Sequence, residues 1–206
     1  MQAVNMETWP RREAYEFFSK MSQPFYSVTF RLDVTRLRAY TKEQGLSFYY
    51  ALVWLTTKSL NEVENFRYAI SEGHVVLLDR RRPSFTDLHP GAGQFHIVNM
   101  PDTGEDIRAF CAAAKERSAA QKGFLDGEDT GDLIYFSCLP WFEITSVTNE
   151  RDFDPDDNVP RIAWGKYGEE GGRQRLQMSL ELNHRFVDGL HIGRFYEILT
   201  SYIESL

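Results

Sequence analysis

One histidine near the C-terminal end of the chain stands where its imidazole could do proton-transfer chemistry. His184 ends a run of alternating apolar and polar residues, and Asp188 and Gly189 follow it before a helical pattern begins. This order predicts a strand, a turn and a helix, with the imidazole held at the mouth of a cleft. The chemistry it favours is removal of a proton from an acceptor during acyl transfer, with a neutral imidazole as general base.

The strand before His184 fits that chemistry and also has a structural explanation. Side chains alternate between the two faces of a strand, so His184 continues the apolar face of Leu180 and Leu182. Burial disfavours the charged form of an imidazole and leaves it neutral, as a general base must be. A core histidine with locally satisfied nitrogens would give the same pattern. Asp188 and Gly189 could likewise serve only as a helix cap and a turn.

Helices and strands are mixed along the whole sequence, which favours an α/β fold around such a cleft. Periodic apolar residues, capping residues and turn residues set the boundaries. Helices are predicted over residues 9–21, 35–44, 47–63, 102–122 and 190–206. Strands are predicted over residues 25–34, 66–70, 74–78, 84–88, 94–99, 133–137, 142–148, 161–167 and 175–184. We expect a single domain over residues 1–206, with helices packed against a mixed sheet.

The composition argues against several classes of partner. A formal net charge of -7 disfavours nucleic acid, whose binding requires a basic face. No apolar run approaches the length of a membrane span, and residues 1–7 do not form a secretory signal. Cys111 and Cys138 do not make a disulfide framework, which favours a reducing cytoplasm. The histidines other than His184 show no spacing typical of a metal site.

Residues 183–189, Asn-His-Arg-Phe-Val-Asp-Gly, resemble the H-x-x-x-D-G motif of the CoA-dependent acyltransferases, and in particular of the chloramphenicol acetyltransferases. Further segments are similar to other motifs of that family. Their order, spacing and total length agree with the family, so the likeness covers nearly the whole chain. They are Trp-Pro-Arg-Arg-Glu at 9–13, Glu-Asn-Phe-Arg at 64–67, a Gly-to-Asp stretch at 73–79, Ser-Cys-Leu-Pro-Trp at 137–141, Gly-Lys-Tyr at 165–167 and His-Ile-Gly-Arg at 191–194.

The resemblance implies an activity and an assembly. Members of the family transfer acetyl from acetyl-CoA directly to a substrate hydroxyl in a ternary complex, without an acyl-enzyme and without a metal. The implied acceptor is chloramphenicol or a similar small molecule, whose acetylation confers antibiotic resistance. The implied fold is a two-layer α/β sandwich with a mixed β-sheet. It would assemble as a homotrimer with active sites between subunits.

The resemblance also implies roles for four residues of the site. His184 would be the general base that takes the proton from the substrate hydroxyl. Ser137 would donate a hydrogen bond to the tetrahedral oxyanion, a contact that strengthens as charge develops. Asp188 would pair with Arg11 and hold the loop under the histidine, and it would not act as the carboxylate of a triad.

Other matched positions concern the ligands. Trp141 and Tyr167 correspond to positions near CoA. Three positions depart from the family pattern. Asn183 replaces the first histidine of the usual pair, which leaves the proton transfer to His184. Ala163 stands where the family usually has a threonine, and Phe18 stands where the acceptor pocket usually has a tyrosine. The last two departures put chloramphenicol itself in doubt as the acceptor and leave the transfer chemistry intact.

Three other interpretations remain open at this point. The chain could be a related acyltransferase with another alcohol or amine as acceptor. Residues 184–189 also resemble the motif of dihydrolipoyl transacetylase cores, although the chain has no lipoyl or subunit-binding module. The third interpretation is a catalytically silent protein that binds CoA or a hydrophobic ligand. This interpretation remains open because Ala163 stands where the family usually has a threonine.

Overall fold

A computed structural model of the chain describes residues 1–127, 130–151, 154 and 156–206. Five α-helices lie in this part of the chain: α1 (Arg12–Phe18), α2 (Thr35–Gln44), α3 (Phe48–Glu62), α4 (Ile107–Ala120) and α5 (Gly189–Glu204). The strands are β1 (Gln2–Ala3), β2 (Phe25–Asp33), β3 (Tyr68–Ser71), β4 (His74–Leu77), β5 (Arg82–Asp87), β6 (His96–Asn99), β7 (Leu133–Leu139), β8 (Arg161–Gly165), β9 (Gly168–Glu170) and β10 (Arg173–Asn183).

The larger sheet has the strand order β2-β10-β8-β7-β5-β6, and β9 pairs with β10 beside this path. Strand β7 runs parallel to both β5 and β8, whereas the other pairs in this sheet are antiparallel. A smaller sheet has the order β1-β4-β3. These features confirm the prediction of an α/β fold with a mixed sheet.

The two faces of the larger sheet have different chemistry. On β10 the residues Leu176, Met178, Leu180 and Leu182 are almost completely buried in the main hydrophobic core. Helices α2, α3 and α5 pack against one another, and α2 contacts β10. The opposite face carries polar side chains, among them Ser179 and Glu181 of β10. Burial of the leucine and methionine side chains stabilises this layer by roughly 2 kcal/mol for each residue.

Helix boundaries follow local capping chemistry. Helix α2 has the predicted bounds and ends at Gly45, whose left-handed backbone (φ 64°) favours glycine. The Ser47 side chain accepts a hydrogen bond from the Tyr50 N–H and begins α3. Asp106 caps α4 in the same way, so that helix begins at Ile107, later than predicted.

Two strand predictions require correction. Residues 142–148 do not form a strand, because β7 and β8 already have neighbours on both sides. The backbone of Phe142 and Ile144 instead crosses close to Gly165, and the Lys166 N–H donates to the Phe142 carbonyl at 2.9 Å. The strand predicted from residue 66 begins at Tyr68, after a short 3-10 turn over Glu64–Arg67. Across the described residues, no helix is long and apolar enough to cross a membrane.

Candidate active site

The imidazole of His184 lies directly after β10, between two aromatic rings. Its ring centroid is 4.0 Å from that of Phe18 on α1 and 4.3 Å from that of Tyr26 on β2, and both pairs are stacked. The His184 N–H donates to the Pro24 carbonyl at 2.7 Å, which fixes the backbone. Nδ1 is buried and has no hydrogen-bond partner among the described residues. The ring is therefore held on both faces, with one nitrogen shielded from solvent.

Arg11 holds the chain on both sides of His184. Its Nη1 donates to the Asp188 carboxylate at 2.7 Å, its Nη2 to the His184 carbonyl at 3.0 Å and its Nε to the Arg185 carbonyl at 2.9 Å. The Arg11 side chain is 11% exposed, so these charge-assisted bonds are partly shielded from water. One guanidinium thus connects the start of α1 to the turn after β10.

Asp188 combines this ion pair with a helix cap. Its side chain accepts from the Leu190 N–H at 3.0 Å at the first turn of α5. Burial alone would raise the pKa of the Asp188 carboxyl, but the hydrogen bond from Arg11 and the neighbouring positive charge outweigh it, so the pKa lies below its usual range. The described contacts of the Asp188 carboxylate are with Arg11, the Leu190 N–H and His191, and none of them is with His184 or Ser137.

His191 completes the cap from the next turn. Its Nδ1 accepts from the Asp188 N–H at 3.0 Å, and it also lies 3.0 Å from the Asp188 carboxylate. Burial lowers the pKa of His191, and the charge of Asp188 only partly offsets this. We therefore assign a neutral ring that accepts the backbone hydrogen bond, and we do not treat this contact as an ion pair.

Tyr26 was not predicted as a site residue, because its position against His184 depends on the pairing of β2 with β10. The register places Tyr26 opposite Leu182. Its hydroxyl donates to the Val187 carbonyl at 3.2 Å. Burial, followed by the charge of Asp188, raises the pKa of Tyr26 to about 12, so the phenol stays neutral. Arg11, Phe18, Tyr26, His184 and Asp188 together form what we call the His184 corner.

Ser137 lies elsewhere in the same chain. Thr29, Ser179, Ala163 and Ser137 occupy one row across β2, β10, β8 and β7. Ser137 is two strands away from Ser179, and His184 is five residues further along β10, so their backbones are about 19 Å apart. The alternation along β10 also places Ser179 and the apolar residues on opposite faces. One copy of the chain does not bring Ser137 and His184 together.

A cavity of about 660 Å³ opens beside Ser137 on the polar face. We call it the Ser137 cavity. Its aromatic and apolar wall comes from β7, from β6 with the residue before it, and from the loop after α4. Its polar wall comes from β5, β8 and the segment before residue 152. The lining includes Phe95, Phe124, Tyr135, Phe136, Arg151 and Arg161.

The remaining predicted positions lie around these two regions. Trp141 is 65% exposed in the loop after β7. The Tyr167 hydroxyl accepts a hydrogen bond from Arg38 Nε at 2.7 Å, and the centroid of its ring lies 5.2 Å from that of Phe48. Ala163 is buried between Ser137 and Ser179, so its methyl group does not reach His184. Within the described residues, no cluster of His, Cys, Asp or Glu could hold a metal ion.

Buried charges behind the Ser137 cavity were not predicted from the sequence. Arg151 donates to Asp157 at 2.7 Å and to Glu181, and Arg161 donates to the same Asp157 at 2.8 Å. All four side chains are at most 15% exposed. No local pattern reveals this cluster, because Glu181 on β10 is distant in sequence from Arg151, Asp157 and Arg161.

Comparisons with known proteins identify the family of this chain. The sequence model for chloramphenicol acetyltransferase matches residues 1–200. Chloramphenicol acetyltransferase 2 of Escherichia coli is 27% identical over 199 residues, which are 95% of this chain and 93% of that protein. A solved chloramphenicol acetyltransferase has a TM-score of 0.89 at 26% identity, covering 98% of this chain and 99% of its own. A dihydrolipoamide acetyltransferase of Azotobacter vinelandii has a TM-score of 0.66 at 17% identity, covering 93% and 85%, and that likeness concerns the fold alone. The chain therefore belongs to the chloramphenicol acetyltransferase family and is an acyltransferase of that type.

Proposed function

We propose that the protein transfers acetyl from acetyl-CoA to the hydroxyl of a small molecule, with chloramphenicol as the first acceptor to test. The observation that carries this proposal is the constrained imidazole of His184. Phe18 and Tyr26 hold its two faces, and Arg11 holds its backbone carbonyl. A general base needs such constraint, because it must meet the proton in one geometry.

In the proposed reaction His184 uses Nε2, since Nδ1 is buried. Nε2 takes the proton of the acceptor hydroxyl as the hydroxyl oxygen attacks the thioester carbonyl. Ser137 donates a hydrogen bond to the oxyanion that forms, which stabilises charge that the ground state lacks. When the C–S bond breaks, His184 returns its proton to the departing thiolate. The acetyl group passes directly to the acceptor, so no acyl-enzyme forms.

The proposal requires at least two copies of the chain. Ser137 and His184 are about 19 Å apart in one copy, estimated from strand spacing, and they can act on one substrate only if they come from different subunits. Exposed apolar side chains near both regions support a subunit contact. They include Phe17, Phe95, Phe124, Trp141 and Phe142. We therefore propose a homotrimer with active sites between subunits, the assembly implied by the family resemblance.

Acetyl-CoA fits the proposal as co-substrate. Trp141 offers an exposed indole face to an extended ligand, and Tyr167 lies beside Arg38, whose positive charge suits a phosphate-bearing molecule. The apolar ring of Phe18 stacks on His184, the proposed general base. Phe18 has no hydroxyl that could form a hydrogen bond with an acceptor.

Release of CoA thiol, measured with acetyl-CoA and chloramphenicol, tests the proposal. We expect His184→Ala to lower the rate by about 10²- to 10⁴-fold, the usual contribution of a general base. His74→Ala is the matched control, since His74 is exposed on β4 and makes no contact with the site. An unchanged rate in His184→Ala would sink the proposed mechanism.

A second candidate is a related acyltransferase with a different acceptor. Ala163 favours it, because this position beside Ser137 carries a methyl group and not a hydroxyl. Turnover of other alcohols but not chloramphenicol would support this candidate. Saturable CoA binding without turnover of any acceptor would instead support a silent protein.

A further inference from the structure

The Ser137 cavity has an arginine on the wall next to Ser137. Arg161 and Ser137 lie on neighbouring parallel strands, with Arg161 paired to Tyr135 and Ala163 paired to Ser137. Both side chains project to the polar face of the sheet and both line the cavity. Ser137 lies one strand away from Arg161 and two residues further along, so the backbones of these two residues are about 8 Å apart. A ligand whose hydroxyl is near Ser137 can therefore extend to Arg161.

Arg161 has donors that the protein does not use. Its Nη1 donates to Asp157 at 2.8 Å, and its guanidinium lies 5.5 Å from the centre of the Tyr135 ring. Its Nε and Nη2 make no hydrogen bond with any described residue. These two nitrogens point in the same direction from a planar group, the geometry that binds two oxygens of a carboxylate.

The neighbouring Arg151 differs in this respect. All three of its nitrogens are occupied by Glu181 and Asp157, and its guanidinium also stacks 4.0 Å from the Phe25 ring. Arg151 thus uses all of its nitrogens on Glu181 and Asp157, while Arg161 uses only Nη1, on one oxygen of Asp157. Glu150 also lines the cavity, but it is exposed, so solvent and salt screen its charge. Of the two arginines described on the cavity wall, Arg161 is therefore the one with donors left for a ligand.

The remaining lining favours an apolar body between these two ends. Phe95, Phe124 and Leu125 supply an aromatic and aliphatic wall, and all three are half exposed. Such a wall binds a ring and excludes water from the polar contacts at each end.

We propose that the acceptor is an aryl or similarly apolar alcohol that carries a carboxylate at the end opposite its reacting hydroxyl, and that Arg161 binds this carboxylate through Nε and Nη2. The inference rests on the proposed function, since Ser137 marks the reacting end of the cavity. Arg161 is a specificity-determining residue in this scheme and takes no part in the chemistry.

Two matched acceptors test the inference: 4-(2-hydroxyethyl)benzoate and its methyl ester, each assayed with acetyl-CoA. We expect kcat/KM for the carboxylate to exceed that for the ester by about 10-fold or more, mainly through KM, because a charged hydrogen-bonded pair replaces a neutral contact. Arg161→Leu should abolish the preference, and Arg161→Lys should retain part of it. Arg31→Leu is the control, because Arg31 is exposed and pairs with Glu170 away from the cavity.

The two proposals fail differently in this experiment. If both acceptors turn over but the ester is preferred, or if Arg161→Leu leaves the ratio unchanged, the acceptor class is wrong and the acetyl transfer stands. If neither acceptor nor chloramphenicol turns over, the proposed function fails. Binding of the same two compounds, measured by calorimetry on the wild type and Arg161→Leu, then decides the role of Arg161. Thermal unfolding of each variant shows whether it is folded, and Arg161→Gln replaces Arg161→Leu if the latter is not.

Discussion

The His184 corner and the Ser137 cavity differ in how much of their geometry one chain determines. At the corner, Phe18 and Tyr26 stack on the imidazole, and Arg11 binds the backbone around it. The cavity is open, has half-exposed aromatic rings, and lies about 19 Å away on the other face of the sheet, as estimated from strand spacing. Under the proposed mechanism, a single subunit fixes the orientation of His184, whereas a second subunit would complete the acceptor side.

A large effect on kcat is expected on the cavity side. Ser137→Ala removes the proposed oxyanion donor and should lower kcat by about 10²- to 10³-fold with little change in KM, since the contact strengthens only in the transition state. Steady-state kinetics with acetyl-CoA and an active acceptor measure the split. Ser84→Ala is the control, because Ser84 lines the same cavity from β5, where it is paired with Tyr135 and not with Ser137. A change in KM alone would remove Ser137 from the reaction.

Mixed assemblies test whether the two regions meet between subunits. His184→Ala and Ser137→Ala chains are unfolded together in equal amounts, refolded and assayed, beside each variant refolded alone. With random assembly, about a quarter of the sites should receive His184 from one subunit and Ser137 from another, and that share of the wild-type rate should return. No recovery in a mixture that refolds and assembles would mean that one subunit supplies both groups.

A smaller loss of activity is expected when the hydrogen bonds that hold the His184 corner are removed. Arg11→Ala removes three hydrogen bonds and should lower stability by about 2–3 kcal/mol. The turn that carries His184 then becomes mobile, which should lower kcat roughly 10- to 100-fold. Thermal unfolding and kinetics measure the two effects together. Arg12→Ala is the matched control, because the adjacent Arg12 is exposed and its side chain pairs with Glu16 on the same helix. If Arg11→Ala behaves like Arg12→Ala, the corner does not depend on this arginine.

The sequence allowed better prediction of the corner than of the cavity. Helix α2, strand β2 and the Ser47 and Asp188 caps follow from local propensity and periodicity, so their positions were predictable. The pairing of Arg11 with Asp188 followed from the family resemblance, and no local pattern links residues so distant in sequence.

Tertiary contacts explain what could not be predicted. Residues 142–148 alternate like a strand, yet no edge of the sheet is free beside β7 or β8. The stacking of Tyr26 on His184 depends on the register of β2 against β10. The charges around Arg161 come from β8, β10 and a loop, so their meeting depends on the assembled sheet.

The smallest predicted effect concerns acid pH at the corner. His191 accepts the Asp188 N–H through Nδ1, and burial lowers its pKa. In the unfolded chain the pKa of His191 is about 6.5, which is higher than its pKa in the folded protein. As the pH decreases through this value, the unfolded chain binds a proton at His191 more readily than the folded protein, so the free energy of unfolding falls. Protonation also breaks the bond to Asp188, one hydrogen bond of about 1 kcal/mol. Charged groups near His191 are Asp188, Arg11 and Arg194, and they are retained in the variant.

His191→Gln separates this effect from the other acid-sensitive groups, which include His96, whose pKa burial also lowers. Glutamine at the third helical position can accept the same backbone hydrogen bond but does not titrate. We therefore expect similar unfolding free energy for variant and wild type at pH 7.5, and a smaller decrease in the variant between pH 7.5 and 5. Denaturant unfolding of both proteins at the two pH values measures the decrease in unfolding free energy. Equal decreases in the two proteins would show that His191 stays neutral or protonates without loss of the cap.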